Sequence, residues 1–319
     1  MKKVTIIGAG AFAVALSRVL DRNGAQVVLF TELHDEQKMI EVERQNRRVL
    51  PGIALLDNTV ASTDAGWSFH DADLVVLALP SHIVRSVAGR LAWALENRVV
   101  CVTTKGVEEG SGMLMHDVLA DAVGGDRERI CVLSGPNLAL EVADFLPSIA
   151  TAAGSRRCTE MLREFFENDR MKIEQTEDVT GTLICGAYKN IYAIGAGILI
   201  ARKAGSNAVA SLVTRGFDEM LGICEAMGGQ RETMNLACGI GDLVTTCTGE
   251  LSRNRQFGMM IGRGEKSVNT STTTEGCAAL AGALKIADNH GLELPIVRAI
   301  DAIINHGRAP DLLLDAICR

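Results

Sequence analysis

A glycine turn between an apolar strand and a helix is the feature that most limits how this chain can fold. Gly8 and Gly10 directly follow the apolar run at residues 4–7. Ala13 comes three residues later, inside a helical pattern that extends through Leu20. The first glycine permits a tight turn, the second lets the main chain approach an anion, and the helix N-terminus offers unpaired N–H groups. The segment therefore predicts a pyrophosphate-binding turn, with a glycine turn that has no ligand as the alternative.

An acidic residue after the second predicted strand indicates which nucleotide this turn would hold. Glu32 stands 24 residues after Gly8. A carboxylate at that place accepts hydrogen bonds from an adenosine ribose and repels a 2′-phosphate. The sequence therefore predicts NAD as the cofactor and disfavours NADP. The alternative is a loop carboxylate that faces water beside His34 and Asp35.

Short apolar runs alternate with helical stretches in the first half of the chain. Each run is continuously apolar, which is typical of parallel strands covered on both faces. The predicted strands are residues 4–7, 26–30, 74–78, 99–103 and 130–134. Only helical windows follow from about residue 179, at residues 181–200, 207–227, 277–290 and 295–305. We therefore predict an α/β fold, with a doubly wound parallel sheet in a dinucleotide-binding domain at residues 1–178 and an all-helical domain at residues 179–319.

The acidic charge balance limits the partners of the chain. Its 319 residues have a formal net charge of −7, whereas a nucleic-acid-binding domain normally presents a basic face. We expect no nucleic-acid partner, and any bound anion must be met by a few local cations. The nine cysteines contain no C-x-x-C pair and the six histidines show no metal-ligand spacing, so we expect reduced thiols and no metal site.

Two apolar stretches bear on where the protein works. The basic start at residues 1–3 and the apolar run after it are similar to a secretory signal, but a strand, turn and helix explain the glycines inside that run better. The apolar stretch at residues 191–201 is too short to span a bilayer. We therefore expect a cytoplasmic protein without a membrane span.

One lysine stands in an otherwise apolar helical window. Lys189 lies within residues 183–200, where burial would lower the pKa of its ammonium group and suit it to proton transfer. The alternative is a lysine whose stem lies along the helix while its charge reaches water. Further polar clusters follow two predicted strands, at residues 103–106 and 134–137, where open parallel sheets bind their ligands.

The chain resembles the NAD(P)-dependent glycerol-3-phosphate dehydrogenase family in a series of short motifs that runs nearly from end to end. The matching motifs are Gly8-Ala9-Gly10, Val49-Leu50-Pro51-Gly52, Leu79-Pro80-Ser81, Lys105-Gly106, Leu133-Ser134-Gly135-Pro136, Cys185-Gly186-Ala187-Tyr188-Lys189-Asn190, Thr214-Arg215-Gly216, residues 239–244, Ser252-Arg253-Asn254 and Leu294-Pro295-Ile296. The resemblance implies a Rossmann domain followed by a helical substrate domain, a small phosphorylated substrate and a homodimer. It also implies an oxidoreductase of glycerophospholipid synthesis in the cytoplasm.

The resemblance further implies roles for individual residues. The implied catalytic set is Lys189, Lys105, Asp242 and Thr246. The implied substrate-binding set is Lys105, Gly135, Asn137, Asn190, Asp242, Ser252, Arg253 and Asn254. The implied cofactor-binding set is Gly8, Gly10, Ala11, Phe12, Glu32, Lys105, Ala139, Arg253 and Glu275. An ammonium at Lys189, oriented by Asp242, would stabilise the oxyanion that forms when the ketone of dihydroxyacetone phosphate is reduced, and would give it a proton.

The chain departs from the family's pattern in three places. The family's Asp-Asn-Thr-Lys segment is replaced within residues 200–209, where only Asn207 survives. The residues Ala11-Phe12-Ala13 stand in place of Ser-Trp-Gly, and Glu32 stands where many bacterial members carry a basic residue. Our leading hypothesis is interconversion of dihydroxyacetone phosphate and sn-glycerol 3-phosphate with NAD(H). A paralogue that reduces a different phosphorylated or carboxylated ketone and a catalytically silent NAD-binding protein stay open as alternatives.

Overall fold

The computed structural model describes residues 1–265 and 275–318. The chain forms two compact units. The first unit consists of Met1–Thr104 and Met115–Val179, and the second of Lys105–Leu114 and Thr180–Arg319. The boundary at residue 178 stays a prediction. The segment Lys105–Leu114, which the sequence placed in the first domain, belongs to the second unit because its contacts are with residues far along the chain.

The first unit is built on an eight-stranded sheet in the order β3-β2-β1-β4-β5-β6-β7-β8. The strands are β1 Lys3–Ile7, β2 Gln26–Phe30, β3 Thr59–Ser62, β4 Leu74–Leu77, β5 Val100–Val102, β6 Ile130–Ser134, β7 Ser148–Ala153 and β8 Met171–Thr176. All neighbouring strands are parallel except β6 and β7, which are antiparallel. The doubly wound α/β fold and all five predicted strands are confirmed.

Three strands were not predicted, and their sequences show why. The edge strand β3 has only four residues. Strand β7 reads Ser-Ile-Ala-Thr-Ala-Ala, in which small side chains replace the expected β-branched run. The other edge strand, β8, alternates buried Met171 and Ile173 with exposed charged and polar residues. Continuous apolar runs mark strands covered on both faces, so the pattern fails at the edges of a sheet.

Helices and the apolar faces of the strands form the core of the first unit. The helices are α1 Ala11–Arg22, α2 His34–Glu43, α3 Ala65–Phe69, α4 Val84–Arg90, α5 Ala92–Leu95, α6 Met115–Val123, α7 Ala139–Ala143 and α8 Arg156–Phe166, with 3₁₀ turns at Ser81–Ile83 and Arg127–Arg129. Helix α1 packs on β1 with its apolar side, so that Val14, Leu16 and Leu20 are fully buried. This packing fixes the start of α1 directly after the glycine turn.

Apart from the segment Lys105–Leu114, where Val107 and Leu114 form an isolated β-bridge, the described part of the second unit is built from helices. Its helices are α9 Val179–Ala201, α10 Ser206–Ala226, α11 Asp242–Thr248, α12 Arg253–Gly262, α13 Glu275–His290, α14 Pro295–His306 and α15 Leu312–Ile317, with a 3₁₀ turn at Arg231–Asn235 and a π-helical turn at Ala237–Gly241. The four predicted helical windows correspond to α9, α10, α13 and α14. The all-helical second half is therefore confirmed for the described residues.

Helix α9 is the centre of the second unit. Its 23 residues are long and apolar enough to cross a membrane, and 94% of the most apolar window is buried inside the protein, as in a core helix. The apolar stretch at residues 191–201, which we expected to be too short to span a bilayer, is part of this longer helix. Helix α12 crosses it closely, since a Cβ atom on Gly197 would lie 2.0 Å from the Arg255 carbonyl oxygen.

Candidate active site

The predicted glycine turn lies at the end of β1, and its backbone leaves room for a ligand. Gly8 has φ +110°, and a Cβ atom there would lie 2.7 Å from the Ala78 carbonyl oxygen. Its N–H donates to the Phe30 carbonyl across 2.8 Å. A Cβ atom on Gly10 would meet nothing within 4 Å, so the space beside that residue is open. Helix α1 begins at Ala11 without a side-chain cap, which leaves N–H groups of its first turn for an anion.

A polar network centred on the buried Asn46 side chain holds the main chain of this turn in place. The Asn46 side chain is fully buried and donates to the Ala9 carbonyl across 2.8 Å and to Glu36 across 2.9 Å. The Thr31 hydroxyl donates to the same Glu36 carboxylate across 2.5 Å. Because buried polar groups of this kind need all their partners, the network fixes the path of the main chain through Ala9.

Glu32 lies two residues after β2, with its side chain half exposed. Its carboxylate accepts hydrogen bonds from Nε and Nη2 of Arg90, at 3.2 and 2.6 Å. Arg90 is the last residue of α4 and was not singled out in the sequence. The carboxylate predicted to face a ribose is therefore held by a guanidinium from another element.

Polar side chains directly follow β5. The hydroxyl groups of Thr103 and Thr104 donate to the carbonyls of Leu77 and Leu79, across 2.9 and 2.7 Å. These two residues therefore tie the end of β5 to the end of β4.

After β6 the chain turns through Gly135, which has φ +156°. The Asn137 amide nitrogen donates to Ser148 and to the Ile149 carbonyl, across 2.7 and 3.0 Å. Its amide oxygen is buried and has no partner in the part of the chain that the structure describes. Ala139 begins α7 just beyond. Asn137 thus offers an unused hydrogen-bond acceptor next to the turn.

In the second unit, two lysines share one carboxylate. The Lys189 Nζ donates to Asp242 Oδ1 across 2.5 Å, and the Lys105 Nζ donates to Asp242 Oδ2 across 2.8 Å. Lys189 also donates to the Thr246 hydroxyl across 2.9 Å, and that hydroxyl donates to the Asp242 carbonyl across 2.6 Å. The four residues of the implied catalytic set therefore lie in direct contact.

The local sequence explains why Asp242 reaches these lysines. The π-helical turn Ala237–Gly241 immediately precedes α11, and Asp242 is the first residue of that helix. Gly239 is required within the turn, since a Cβ atom there would lie 2.0 Å from the Met234 carbonyl oxygen. Such π-helical turns are frequent at functional sites. Thr246 follows Asp242 by one helical turn and therefore stands on the same side of α11.

Burial governs the electrostatics of this group. Only 6% of the Lys189 side chain and 3% of the Asp242 side chain are exposed. Burial lowers the pKa of Lys189 to about 8, the charge of Asp242 opposes that shift, and the neighbouring Lys105 adds to it. The structure thus rejects the alternative of a lysine whose charge reaches water. An ammonium has three N–H donors, and Lys189 uses two of them on Asp242 and Thr246.

A second polar group connects three helices of the same unit. The Asn254 amide nitrogen donates to the Asn190 side-chain oxygen across 3.0 Å, and the Asn254 oxygen accepts from the Gly276 N–H across 3.1 Å. Asn190 is the residue after Lys189 on α9, so this amide pair fixes α12 and the start of α13 beside the lysine helix. Glu275, the first residue of α13, is half-buried.

The start of α12 carries the implied phosphate-binding arginine. Ser252 caps the helix, with its hydroxyl accepting from the Arg255 N–H across 3.3 Å. Arg253 is the first residue of the helix and is exposed, and within the described ranges it makes no hydrogen bond or ion pair. A free guanidinium at a helix N-terminus is well suited to bind a phosphate group.

The segment that departs from the family's pattern forms the connection between α9 and α10. Arg202 makes an ion pair with Asp311, at 3.2 Å, in which both side chains are largely exposed. Lys203 has φ +58° and Gly205 has φ +88°, and α10 begins at Ser206. The basic residues of this connection, Arg202 and Lys203, therefore lie at the surface of the second unit.

The sequence-predicted residues fall into separate sets. Those of the first unit are Gly8, Gly10, Ala11, Phe12, Glu32, Gly135, Asn137 and Ala139, and those of the second are Lys105, Lys189, Asn190, Asp242, Thr246, Ser252, Arg253, Asn254 and Glu275. Two supporting residues, Asn46 and Arg90, were missed. Neither carries a local signal, because Asn46 acts on the backbone 37 residues earlier and Arg90 on a carboxylate 58 residues earlier.

Within residues 1–265 and 275–318, no group of three His, Cys, Asp or Glu side chains is placed to hold a metal ion.

Comparison with known proteins covers both units. Residues 3–159 match the N-terminus model of NAD-dependent glycerol-3-phosphate dehydrogenase, and residues 178–315 match its C-terminus model. A glycerol-3-phosphate dehydrogenase [NAD(P)+] of Thermobifida fusca is 34% identical, over 97% of this chain and 94% of its own length. That of Syntrophomonas wolfei is 36% identical, over 94% and 89%.

A solved structure agrees with these relatives. The crystal structure of glycerol-3-phosphate dehydrogenase from Coxiella burnetii has a TM-score of 0.89 and 31% identity, and the match covers 99% of this chain and 98% of that one. Sequence and fold thus agree over nearly the whole length and in both units. The chain belongs to the NAD-dependent glycerol-3-phosphate dehydrogenase family.

Proposed function

We propose that this chain interconverts dihydroxyacetone phosphate and sn-glycerol 3-phosphate with a nicotinamide cofactor. Membership of the family supports the reaction. The observation that carries the proposal for this chain is the buried Lys189 ammonium, held at 2.5 Å by Asp242 and at 2.9 Å by Thr246. A silent binding protein would have no use for such a group, because a buried charged lysine is costly to maintain.

Lys189 is the proton donor and acceptor of the proposed reaction. When bound, the nicotinamide supplies a hydride to C2 of the ketone, or takes one from C2 of the alcohol in the reverse direction. In reduction, the C2 oxygen gains the electron pair of the carbonyl, and the third N–H of Lys189 hydrogen-bonds to that oxygen and then gives it the proton. In oxidation, the neutral amine takes the proton back. A pKa of about 8 suits both roles near neutral pH.

Asp242 and Lys105 position the proton donor. The Asp242 carboxylate fixes Lys189 on one oxygen and Lys105 on the other, at 2.5 and 2.8 Å. Its charge keeps Lys189 protonated in spite of burial, while the Lys105 charge keeps that pKa from rising further. Lys105 is only partly buried and, in this proposal, also contacts the substrate and the cofactor.

Arg253 supplies the positive charge for the substrate phosphate in this proposal. It is exposed at the first turn of α12, and Ser252 caps the same turn. Asn190 and Asn254 complete the pocket, with their amide groups held in place by each other. A guanidinium offers two parallel N–H donors to phosphate oxygens, which a single point charge does not.

The first unit would hold the cofactor. The glycine turn of Gly8 and Gly10, with the N–H groups of Ala11 and Phe12, fits a pyrophosphate, because the space beside Gly10 is open and the first turn of α1 has no cap. The proposed cofactor set also contains Ala139 of the first unit and Lys105, Arg253 and Glu275 of the second. Gly135 and Asn137 of the first unit belong to the proposed substrate set. Glu32 favours NAD over NADP in this proposal. We further propose a cytoplasmic homodimer that serves glycerophospholipid synthesis.

A substrate panel tests this function. The purified protein should oxidise NADH when dihydroxyacetone phosphate is added, and NADPH more slowly. The panel should include 2-oxo acids and other phosphorylated ketones at equal concentration. Faster turnover of one of these would favour a paralogous dehydrogenase. Binding of NADH without turnover of any ketone would show a silent binder and contradict the proposal.

A further inference from the structure

The ion pair between Glu32 and Arg90 joins two segments that follow neighbours of β1, the strand that leads into the glycine turn. In the sheet, β1 lies between β2 and β4. Glu32 follows β2, and Arg90 ends α4, the helix that follows β4. The ion pair therefore joins the segment after β2 to the helix after β4, with β1 lying between the two strands. Gly8 follows β1 between them: its N–H donates to the Phe30 carbonyl, and a Cβ atom there would lie 2.7 Å from the Ala78 carbonyl oxygen.

Arg90 is held in place by its own helix as well as by Glu32. Its Nη1 donates to the Ser86 hydroxyl across 2.7 Å and to the Ser86 carbonyl across 3.3 Å. Its Nε and Nη2 meet the two oxygens of Glu32. All three nitrogens of the guanidinium are thus engaged, and Ser86 keeps the group oriented even when Glu32 is removed.

This ion pair lies at the surface of the first unit. The Arg90 and Glu32 side chains are 51% and 50% exposed. Ion pairs of that exposure contribute little to stability, so the Arg90 guanidinium stays available to another anion once the carboxylate is removed. A phosphate monoester carries up to two charges and accepts the same paired N–H donors.

We propose that Arg90 determines cofactor specificity together with Glu32. With the carboxylate in place, Arg90 orients Glu32 toward the ribose 2′-hydroxyl and the chain selects the cofactor without a 2′-phosphate. With the carboxylate removed, the same guanidinium binds the 2′-phosphate. This inference rests on the nucleotide site of the proposed function and adds a specificity residue to it.

Equilibrium binding without substrate tests the inference. Dialysed protein is titrated with NADH and with NADPH, followed by nucleotide fluorescence, and with 2′,5′-ADP by calorimetry. The variants are Glu32→Ser, Arg90→Ala and the double variant. Arg85→Ala is the matched control, because Arg85 lies on the same helix and pairs with Asp121 instead. Thermal unfolding of each variant shows that it remains folded.

Glu32→Ser should bind NADPH and 2′,5′-ADP about tenfold more tightly than the unmodified protein, which is the effect of one charged hydrogen-bond pair. The double variant should lose that gain, and Arg85→Ala should behave like the unmodified protein. Arg90→Ala alone should weaken NADH binding, because Glu32 loses its orientation, and should weaken NADPH binding, because the Glu32 carboxylate loses its neutralising cation and repels the 2′-phosphate.

Two results would overturn the inference. The first is a double variant that keeps the whole gain in NADPH affinity. The second is no gain in Glu32→Ser. Tight NADH binding without turnover of dihydroxyacetone phosphate would contradict the proposed reaction but leave the role of Arg90 standing. Failure to bind either nucleotide would remove the nucleotide site and the inference with it.

Discussion

Lys189 donates a 2.5 Å hydrogen bond to Asp242 where both side chains are almost completely buried. Burial removes the hydration that keeps a lysine charged, and the carboxylate restores part of that stabilisation. The result is a pKa of about 8 for Lys189. A lysine in water has a pKa near 10.4, so almost none of it is the neutral amine that the oxidation direction needs at neutral pH.

This pKa predicts opposite pH profiles for the two directions of the reaction. Ketone reduction needs the protonated amine, so kcat/KM for dihydroxyacetone phosphate should fall as the pH rises through about 8. Oxidation of glycerol 3-phosphate needs the neutral amine, so its kcat/KM should rise over the same interval. Initial rates in each direction from about pH 6 to about pH 10 measure both profiles. Two profiles that move in the same direction would exclude Lys189 as the titrating group.

Part of this site could be predicted from the sequence and part could not. The lysine and aspartate stand in short motifs, so each could be chosen without knowing that they meet across 53 residues. Lys105 was chosen too, but the sequence placed it in the first domain, because it follows a strand of the sheet. Only the structure shows its segment as part of the second unit, with a contact that spans 137 residues.

Dependence on distant parts of the chain also explains why three strands were not predicted from the sequence. Continuous apolar runs identified the five strands at the centre of the sheet, because both faces of those strands are covered. Strand β8 carries Lys172, Glu174 and Gln175, since it lies at the edge and one face meets water. Local patterns report burial on each face of an element, and they do not report which distant element covers it.

A close helix crossing predicts the effect of a small substitution in the second unit. A methyl group at Gly197 would lie 2.0 Å from the Arg255 carbonyl oxygen, so Gly197→Ala must push α9 and α12 apart. We expect it to lower the free energy of unfolding by about 1–3 kcal/mol. Urea denaturation followed by circular dichroism gives the value.

The matched control for this variant is Gly222→Ala on α10. A Cβ atom at Gly222 meets nothing within 4 Å, so the change should raise the free energy of unfolding by about 0.5–1 kcal/mol through helix propensity alone. Equal effects of the two substitutions would contradict the close crossing.

Glu219 predicts a pH dependence of stability that is separate from catalysis. Its buried carboxylate accepts from the N–H groups of Ile296 and Val297 at the start of α14, at 2.6 and 3.2 Å. Burial raises the pKa of Glu219 to about 7, although the two N–H donors oppose that rise. The folded protein therefore keeps a proton that the unfolded chain loses at about pH 4.5.

The proton that the folded protein retains on Glu219 determines whether the free energy of unfolding rises or falls with pH. The contribution of Glu219 to the free energy of unfolding is complete below about pH 4.5 and is lost as the pH rises through about 7. The loss is on the order of 3 kcal/mol. Glu219→Gln cannot titrate, so its stability relative to the unmodified protein should increase between about pH 5 and about pH 8. Urea denaturation of both proteins at the two pH values gives this difference, and a constant difference would contradict the prediction.

The central claim is that the Lys189 ammonium transfers the proton of the reaction, and the turnover number of Lys189→Ala tests it most directly. NADH oxidation is followed at saturating dihydroxyacetone phosphate, with NADH affinity measured in parallel and with Lys285→Ala, an exposed lysine of α13, as the control. We predict that kcat of Lys189→Ala falls by about 10²–10⁴-fold while the Kd for NADH stays unchanged and the control keeps full activity. A Lys189→Ala variant that turns over dihydroxyacetone phosphate at the rate of the unmodified protein would contradict the account.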